Sequence, residues 1–156
     1  MRRKEREIMD SQEIETLLDG EKILRVAFYD KGDIYIVPVN YGYICRDGRY
    51  SFYFHGAKAG RKYELSRKEP VVGFEIDGQY RFLEGETACG YSASYQSVIG
   101  TGAIRLVEDR EEKKAGMDAI MGQAAGKKDW NYRDQMLEAV AVFRIDAQKL
   151  SCKANR

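Results

Sequence analysis

The chain has 156 residues and balanced charge, with 26 Lys and Arg, 25 Asp and Glu, and a formal net charge of +1. Its 44% hydrophobic and 33% charged content is ordinary for one globular domain over residues 1–156. The weak net charge argues against nucleic acid and anionic membranes as partners, and no apolar run reaches the roughly 20 residues of a membrane span.

The chain begins with a charged arm, residues 1–8, in which Arg and Lys are interleaved with Glu. A short amphipathic helix is predicted next. Asp10 followed three residues later by Glu13 is a capping-box pattern, apolar residues recur at helical spacing, and Gly20 marks the end.

Two strands are predicted after this helix, at Ile23–Tyr29 and Ile34–Tyr43. Pro38 lies inside the second and has no N–H to donate to a ladder, so the strand is bulged there or lies at a sheet edge. The backbone groups freed between Pro38 and Asn40 either bind the polar rim of a ring-shaped ligand or belong to a simple bulge.

A third strand, Tyr50–His55, leads into a loop with features of an anion site. The loop carries Gly56 and Gly60, and glycines let backbone N–H groups approach an anion. Arg61 and Lys62 follow at the start of a short predicted helix, and both cations suit a phosphate monoester. The alternative is a strand-to-helix loop whose cations are simply solvated.

Two more strands follow, at Val71–Ile76 and Ser94–Val107. Gly100 and Gly102 lie inside the second of these. Glycines within a strand indicate either sharp curvature of a barrel or the close approach of a ligand.

A helix over Glu108–Met121 and a last strand over Ala139–Ile145 complete the pattern. Six short strands joined mostly by tight turns predict a mainly β fold, an antiparallel barrel with peripheral helices. Parallel pairing is disfavoured because most connections are too short to cross over, and a β-sandwich is the main alternative.

The cysteines and the single histidine limit the chemistry of the chain. Cys45, Cys89 and Cys152 lie far apart and form no CxxC pair, so we expect reduced thiols in the cytoplasm and no metal site. A histidine-based metal centre or catalytic triad would have His55 alone to use.

Four stretches, taken in order and spacing, resemble one known family. They are Arg2-Arg3-Lys4 with Arg6-Glu7-Ile8, Tyr35-Ile36-Val37-Pro38-Val39-Asn40-Tyr41-Gly42, Phe54-His55-Gly56-Ala57 with Gly60-Arg61-Lys62, and Ser97-Val98-Ile99-Gly100-Thr101-Gly102. Together they resemble the nitroimidazole-resistance (Nim-like) branch of the pyridoxamine 5′-phosphate oxidase-like, FMN-binding split-barrel proteins. The resemblance extends from Arg2 to about Ile145. It implies a six-stranded split barrel and a homodimer, with FMN in two equivalent clefts between the subunits.

The resemblance also implies which residues bind FMN. Those along the isoalloxazine are Val37, Pro38, Val39 and Asn40. Those along the ribityl chain and phosphate are His55, Gly56, Ala57, Gly60, Arg61 and Lys62. Those that approach from the other subunit are Gln96, Ser97 and Val98. Many relatives have Arg where this chain has Gln96. A charged side chain is therefore absent at that point, and Ser97 and the backbone are left to contact the flavin.

The function implied by the resemblance is an FMN-dependent oxidoreductase. It would reduce small aromatic compounds, such as nitroimidazoles, other nitroaromatics or quinones, with electrons from a reduced nicotinamide. The alternative is a non-catalytic protein that stores or senses FMN or haem. His55 has three open roles: proton transfer as a catalytic residue, packing beside cofactor or substrate, or haem ligation as in a sibling branch.

Overall fold

The computed structural model describes residues 3–68 and 70–156, so Met1 and Arg2 of the charged arm lie outside the described residues. Within these residues eight strands form one antiparallel sheet: β1 (Glu7–Ile8), β2 (Ile23–Asp30), β3 (Asp33–Asn40), β4 (Gly42–Arg46), β5 (Arg49–Gly56), β6 (Val71–Leu83), β7 (Ser92–Leu106) and β8 (Ala141–Asn155). Four α-helices lie in the same residues: α1 (Ser11–Gly20), α2 (Arg61–Ser66), α3 (Arg110–Ala125) and α4 (Asp134–Ala139). Two short 3-10 helices, Lys4–Arg6 and Ala88–Gly90, accompany them.

The order of strands along the sheet shows how it closes. The path runs β3-β2-β6-β7-β8-β5-β4, and β1 pairs with β8 off this path. The strands at the two ends of the path, β3 and β4, are consecutive in the chain and are separated by Tyr41 alone. The sheet therefore curls until its two edge strands are joined through Tyr41 without pairing with each other, and large apolar side chains such as Phe28, Phe52 and Phe143 fill its interior. The predicted mainly β, antiparallel fold is confirmed.

The predicted number of six strands is wrong, because residues 3–68 and 70–156 form eight. The strand predicted over Ile34–Tyr43 is divided at Tyr41, where the chain stops pairing with β2 and begins to pair with β5. The Tyr41 ring is buried, and its hydroxyl donates to the Leu18 carbonyl 2.7 Å away. The other additional strand, β1, lies in the predicted charged arm, where Ile8 is buried against the core.

The glycines within β7 are explained by packing and curvature. A Cβ on Gly100 would lie 2.3 Å from the Phe74 ring, and one on Gly102 would lie 2.3 Å from the Asp146 carbonyl oxygen. The pairing of β7 with β8 also shifts register between Thr101 and Gly102, as at a β-bulge. Of the two interpretations of these glycines, the structure favours curvature of the barrel, since protein atoms fill the space.

Local signals place the helix ends. Asp10 caps α1 by accepting a hydrogen bond from the Glu13 N–H at 2.9 Å, as predicted. The predicted helix over Glu108–Met121 instead begins at Arg110, because Asp109 is its cap. It continues to Ala125 and ends where the next residue, Gly126, has φ of 68°. No helix among the described residues combines the length and the apolar character needed to cross a membrane.

Helix α3 lies directly on β4 and β5 because two glycines allow close contact. A Cβ on Gly42 would stand 2.1 Å from the Ala119 carbonyl carbon, and one on Gly116 would stand 2.7 Å from the Tyr53 ring. The same helix also binds the C-terminal end of α1. Gln123 Nε2 donates hydrogen bonds to the carbonyl oxygens of Leu18 and Glu21, each at 2.6 Å.

Candidate functional site

The loop predicted to hold an anion follows β5 on the protein surface. Phe54 is fully buried, whereas the four residues after Gly56, numbers 57–60, are all exposed. Gly60 has φ of 93° with open space around it, a backbone conformation that side chains rarely adopt. The loop is therefore an open backbone turn that ends directly at α2.

Lys62 contributes a half-buried cation to this loop. Its ammonium nitrogen lies 5.5 Å from the centroid of the Phe54 ring and 5.3 Å from that of Phe143, and the two rings are stacked on each other. Burial alone lowers the pKa of Lys62. Among the described residues no carboxylate forms an ion pair with it, and the position of a Cβ on Gly56 would be 3.0 Å from its nitrogen. The charge is partly desolvated and has no anionic partner within the described chain.

Arg61 makes different contacts from Lys62. Its Nε donates to Asp30 at 2.9 Å and its Nη2 to Asp33 at 2.8 Å, and its guanidinium carbon lies 4.7 Å from the centroid of the Tyr35 ring. Hydrogen bonds from the guanidinium to Asp33 and then Asp30 raise the pKa of Arg61. The two adjacent cations predicted to act together therefore point to different partners. Arg61 connects the loop to the turn between β2 and β3.

His55 precedes the loop on β5, opposite Val142 of β8, and its side chain is exposed. Its pKa is lowered, first by partial desolvation and then by the Lys62 ammonium. The imidazole is consequently neutral near pH 7, where it can both donate and accept hydrogen bonds.

Two further lysines lie beside the loop, in a cleft of about 260 Å³. Lys58 comes from the loop and Lys113 from α3. Burial, followed by the charge of Lys58, lowers the pKa of Lys113. The sequence pattern did not identify Lys113, because α3 is distant in sequence and only the folded sheet brings it to the loop.

The predicted flavin-ring residues lie on β3, which ends the sheet path and is an edge strand. Val37 and Val39 pack against the core, whereas Pro38 and Asn40 are exposed. The pairing with β2 is regular through Pro38, so of the two expectations the edge position is correct and there is no bulge. An edge strand leaves every second backbone N–H and C=O without a ladder partner.

The three predicted residues on β7 lie apart from the loop and from β3. Val98 is fully buried in the core, and Gln96 donates from Nε2 to Glu21 at 3.1 Å, while Ser97 is half-buried. Strands β2 and β6 separate β7 from β3, a distance of roughly 14 Å at the usual strand spacing. One protomer alone therefore does not bring Gln96 and Ser97 to the other predicted residues.

The outer face of the sheet carries exposed apolar side chains across four neighbouring strands. The residues Ile36, Ala27, Gly73 and Thr101 lie opposite one another across β3, β2, β6 and β7. The large apolar residues on this face that are more than half exposed are Ile34, Ile36, Tyr29, Val71 and Ile99. We call this surface the outer apolar face. Contiguous patches of this kind mark interaction surfaces.

Comparison with known proteins shows what this architecture is similar to. A candidate 5-nitroimidazole antibiotic resistance protein from Bacteroides thetaiotaomicron is 26% identical, with a TM-score of 0.79 over 96% of this chain and 90% of that chain. An FAD and heme binding protein from Mycobacterium smegmatis is 15% identical, with a TM-score of 0.80 over 97% of this chain and 74% of that chain. An FAD-binding protein from Mesorhizobium loti is 21% identical, with a TM-score of 0.64 over 95% and 96% of the two chains.

The last two similarities, at these identities, show a shared fold. A comparison with curated proteins gives no match. The pyridoxamine 5′-phosphate oxidase family matches residues 10–154, nearly the full length of the chain. The family resemblance inferred from the four sequence stretches is thereby confirmed, and the chain belongs to the pyridoxamine 5′-phosphate oxidase family.

Proposed function

We propose that the protein is an FMN-dependent oxidoreductase that reduces small aromatic compounds of the nitro or quinone type with electrons from a reduced nicotinamide. The observation that carries this proposal is the Lys62 ammonium, which is half-buried and has no anionic partner among the described residues. A cation in that condition is stabilised by a bound anion.

The residues of the loop fit a phosphate monoester. Lys62 supplies the charge, Gly56 keeps the space in front of its nitrogen clear, and Gly60 permits the turn that exposes the backbone. Arg61 is already paired with Asp30 and Asp33, so its contribution is to hold the loop.

A flavin is also supported by the chain's relatives. The family match spans nearly the full length, and the structurally similar Mesorhizobium protein is an FAD-binding protein. We propose FMN as the flavin, and not FAD, because the single phosphate of FMN matches the half-buried Lys62 of the loop, which has no anionic partner among the described residues.

A homodimer would complete the site. The outer apolar face belongs to the same strand, β3, whose exposed edge would lie along the flavin ring. Burying this face against a second copy in C2 fashion would bring the β7 residues of the partner towards that edge. The separation of Ser97 from β3 within one protomer is compatible with such a shared cleft.

When bound, FMN would accept a hydride from the reduced nicotinamide and pass electrons to the aromatic acceptor. The protein would hold the phosphate with Lys62 and the ring with the edge of β3. His55, exposed and neutral, can take up a proton from solvent at one ring nitrogen while giving one up at the other. The substrate would then receive its proton at a position next to the loop.

The proposal is tested by the absorbance spectrum of the purified protein and by anaerobic titration with NADH and NADPH. We expect flavin bands that bleach on titration and return when a nitroimidazole or a quinone is added. A flavin that is bound but not reduced would favour the non-catalytic alternative. A Soret band without flavin bands, or no chromophore after reconstitution with FMN, would overturn the proposal.

A further inference from the structure

A second cleft, larger than the one beside the loop, lies between α3 and the strands β4, β5 and β8. Its volume is about 890 Å³, within the range of small-molecule sites. None of the residues predicted to bind FMN lines it.

Three of the four carboxylates that line this cleft are held in hydrogen-bonded ion pairs, and the fourth, Asp47, lies in the turn between β4 and β5. Glu112 accepts from Arg105 at 2.7 Å and from Arg144 at 2.6 Å. Asp146 accepts from Arg144 as well, at 2.6 Å. Glu111 is paired with Arg110 at 2.7 Å. These carboxylates are therefore unavailable to balance other cations in the cleft.

Two arginines at the mouth of the cleft lie outside these ion pairs, together with the Asp47 carboxylate between them. Arg46 and Arg49 are direct cross-strand partners in the β4–β5 hairpin, on either side of the Asp47-Gly48 turn. Like charges directly opposite each other in a hairpin are destabilising. Among residues 3–68 and 70–156 neither arginine forms an ion pair with a carboxylate, and the Asp47 charge between them balances one of the two positive charges. A bound anion would balance the other and relieve the remaining repulsion.

The remainder of the lining is suited to a compact apolar group. Ile44, Ala115 and Ala147 contribute aliphatic surface, and the Tyr53 ring, which packs against α3, lies at the same wall. We propose that this cleft is a second binding site, distinct from the proposed flavin site, for a small organic anion. Its carboxylate, sulfonate or phosphate binds Arg46 and Arg49, and its apolar part lies between α3 and β4. This inference does not depend on flavin turnover, and FMN is added in the test only to occupy the proposed flavin site.

The test uses anilinonaphthalene sulfonate, an aromatic anion whose fluorescence rises on binding, with protein that has been saturated with FMN. We expect saturable binding to wild type that weakens about tenfold or more in Arg46→Gln/Arg49→Gln, since two charge-assisted contacts are lost. The matched control is Arg81→Gln/Arg133→Gln, which removes two exposed arginines outside the cleft and should leave the affinity unchanged.

A second variant separates the cleft from a mere pair of surface charges. Ala115→Phe should fill the apolar part and abolish binding of the fluorescent anion, while inorganic phosphate should raise the melting temperatures of wild type and Ala115→Phe equally. Circular dichroism verifies that each variant is folded. Absence of saturable binding to wild type, equal affinity in the two double variants, unchanged affinity in Ala115→Phe, or release of FMN by the probe would each overturn the proposal.

Discussion

Arg61 Nη2 donates a hydrogen bond of 2.8 Å to Asp33 Oδ2, which joins the first residue of α2 to the first residue of β3. The next residue, Lys62, has no such partner among the described residues. Adjacent positions at a helix start are rotated by about 100° from each other, so the two side chains point in different directions. Arg61 therefore pairs with carboxylates, and Lys62 lies over the Phe54 and Phe143 rings.

Arg61→Ala should have a small effect on flavin affinity that is equal for FMN and riboflavin. Its guanidinium is exposed and committed to Asp30 and Asp33, and exposed ion pairs contribute little to the stability of the loop. Flavin fluorescence quenching measures both affinities. A loss of tenfold or more confined to FMN would mean that Arg61 leaves its carboxylates to bind the phosphate.

Lys62→Ala should weaken FMN binding by roughly ten- to hundredfold, because charge-assisted bonds to an anion are worth about 1.5–3 kcal/mol. Riboflavin has no phosphate and should lose much less. Lys127→Ala is the matched control, since that lysine lies over the Trp130 ring, away from the loop. The same fluorescence titration applies. Equal losses for the two flavins would place the phosphate elsewhere.

His55 should titrate below its ordinary pKa of about 6.5. As the single histidine of the chain, it gives one imidazole signal whose pH titration NMR can follow. Lys62→Ala should raise the pKa only in part, because desolvation is the larger cause and the Lys62 charge the smaller. If the His55 pKa returned completely to its ordinary value, desolvation would not be the larger of the two causes. If it did not change at all, the Lys62 charge would not be a cause.

The same shift makes folding stability depend on pH. Because the folded pKa is lowered, the stabilising contribution of neutral His55 is present above the unfolded pKa near 6.5 and is lost as pH falls. The difference in unfolding free energy between wild type and His55→Gln should therefore shrink from pH 8 to pH 5. Urea titrations at several pH values measure it, and a difference that grows towards acid pH would show the opposite sign.

Ile36→Glu should convert the expected dimer into a folded monomer. Ile36 is 58% exposed on β3, at one side of the outer apolar face, and a charge there opposes burial against a second copy. Light scattering measures the mass. The control is Met136→Glu on α4, a similarly exposed apolar position away from that face. If wild type is a monomer while it binds FMN, the shared-cleft arrangement is wrong.

Gly42→Ala should destabilise the fold by about 2 kcal/mol, since its Cβ would overlap the Ala119 backbone and separate α3 from β4. Gly73→Ala is the control, because its Cβ would meet its nearest neighbour, the Ala27 Cβ, at an ordinary 3.7 Å. Thermal unfolding distinguishes the two. Equal melting temperatures for Gly42→Ala and wild type would indicate that α3 shifts without cost.

Much of the fold could be predicted because local signals coincide with the final structure. Alternating apolar residues placed the six longer strand regions. The Asp47-Gly48 turn has positive φ at both residues, a conformation that Asp-Gly pairs adopt readily. The division at Tyr41 could not be predicted, since the apolar pattern continues through it and the change of strand partner is a property of the closed sheet. A two-residue strand such as β1 carries no periodicity at all.

The sequence was sufficient to predict which residues form the candidate site, but not which side chains those residues contact. The spacing of glycines and cations identified the loop, and the family resemblance added β3 and β7. Sequence could not reveal that Asp30 and Asp33 bind Arg61, or that two phenylalanine rings lie beneath Lys62. These pairings depend on strands that become neighbours only in three dimensions.

The central position of β8 has a consequence for synthesis on the ribosome. Strand β8 lies between β7 and β5, so neither of these has its full set of backbone partners until residues 141–155 have emerged. At about 5–20 residues per second, the segment from Leu106 to Ala141 takes a few seconds to make. During that interval two hydrogen-bonding edges and the apolar interior are open to water. We expect nascent chains halted before Ala141 to aggregate or bind chaperones, and chains released after Asn155 to close the barrel.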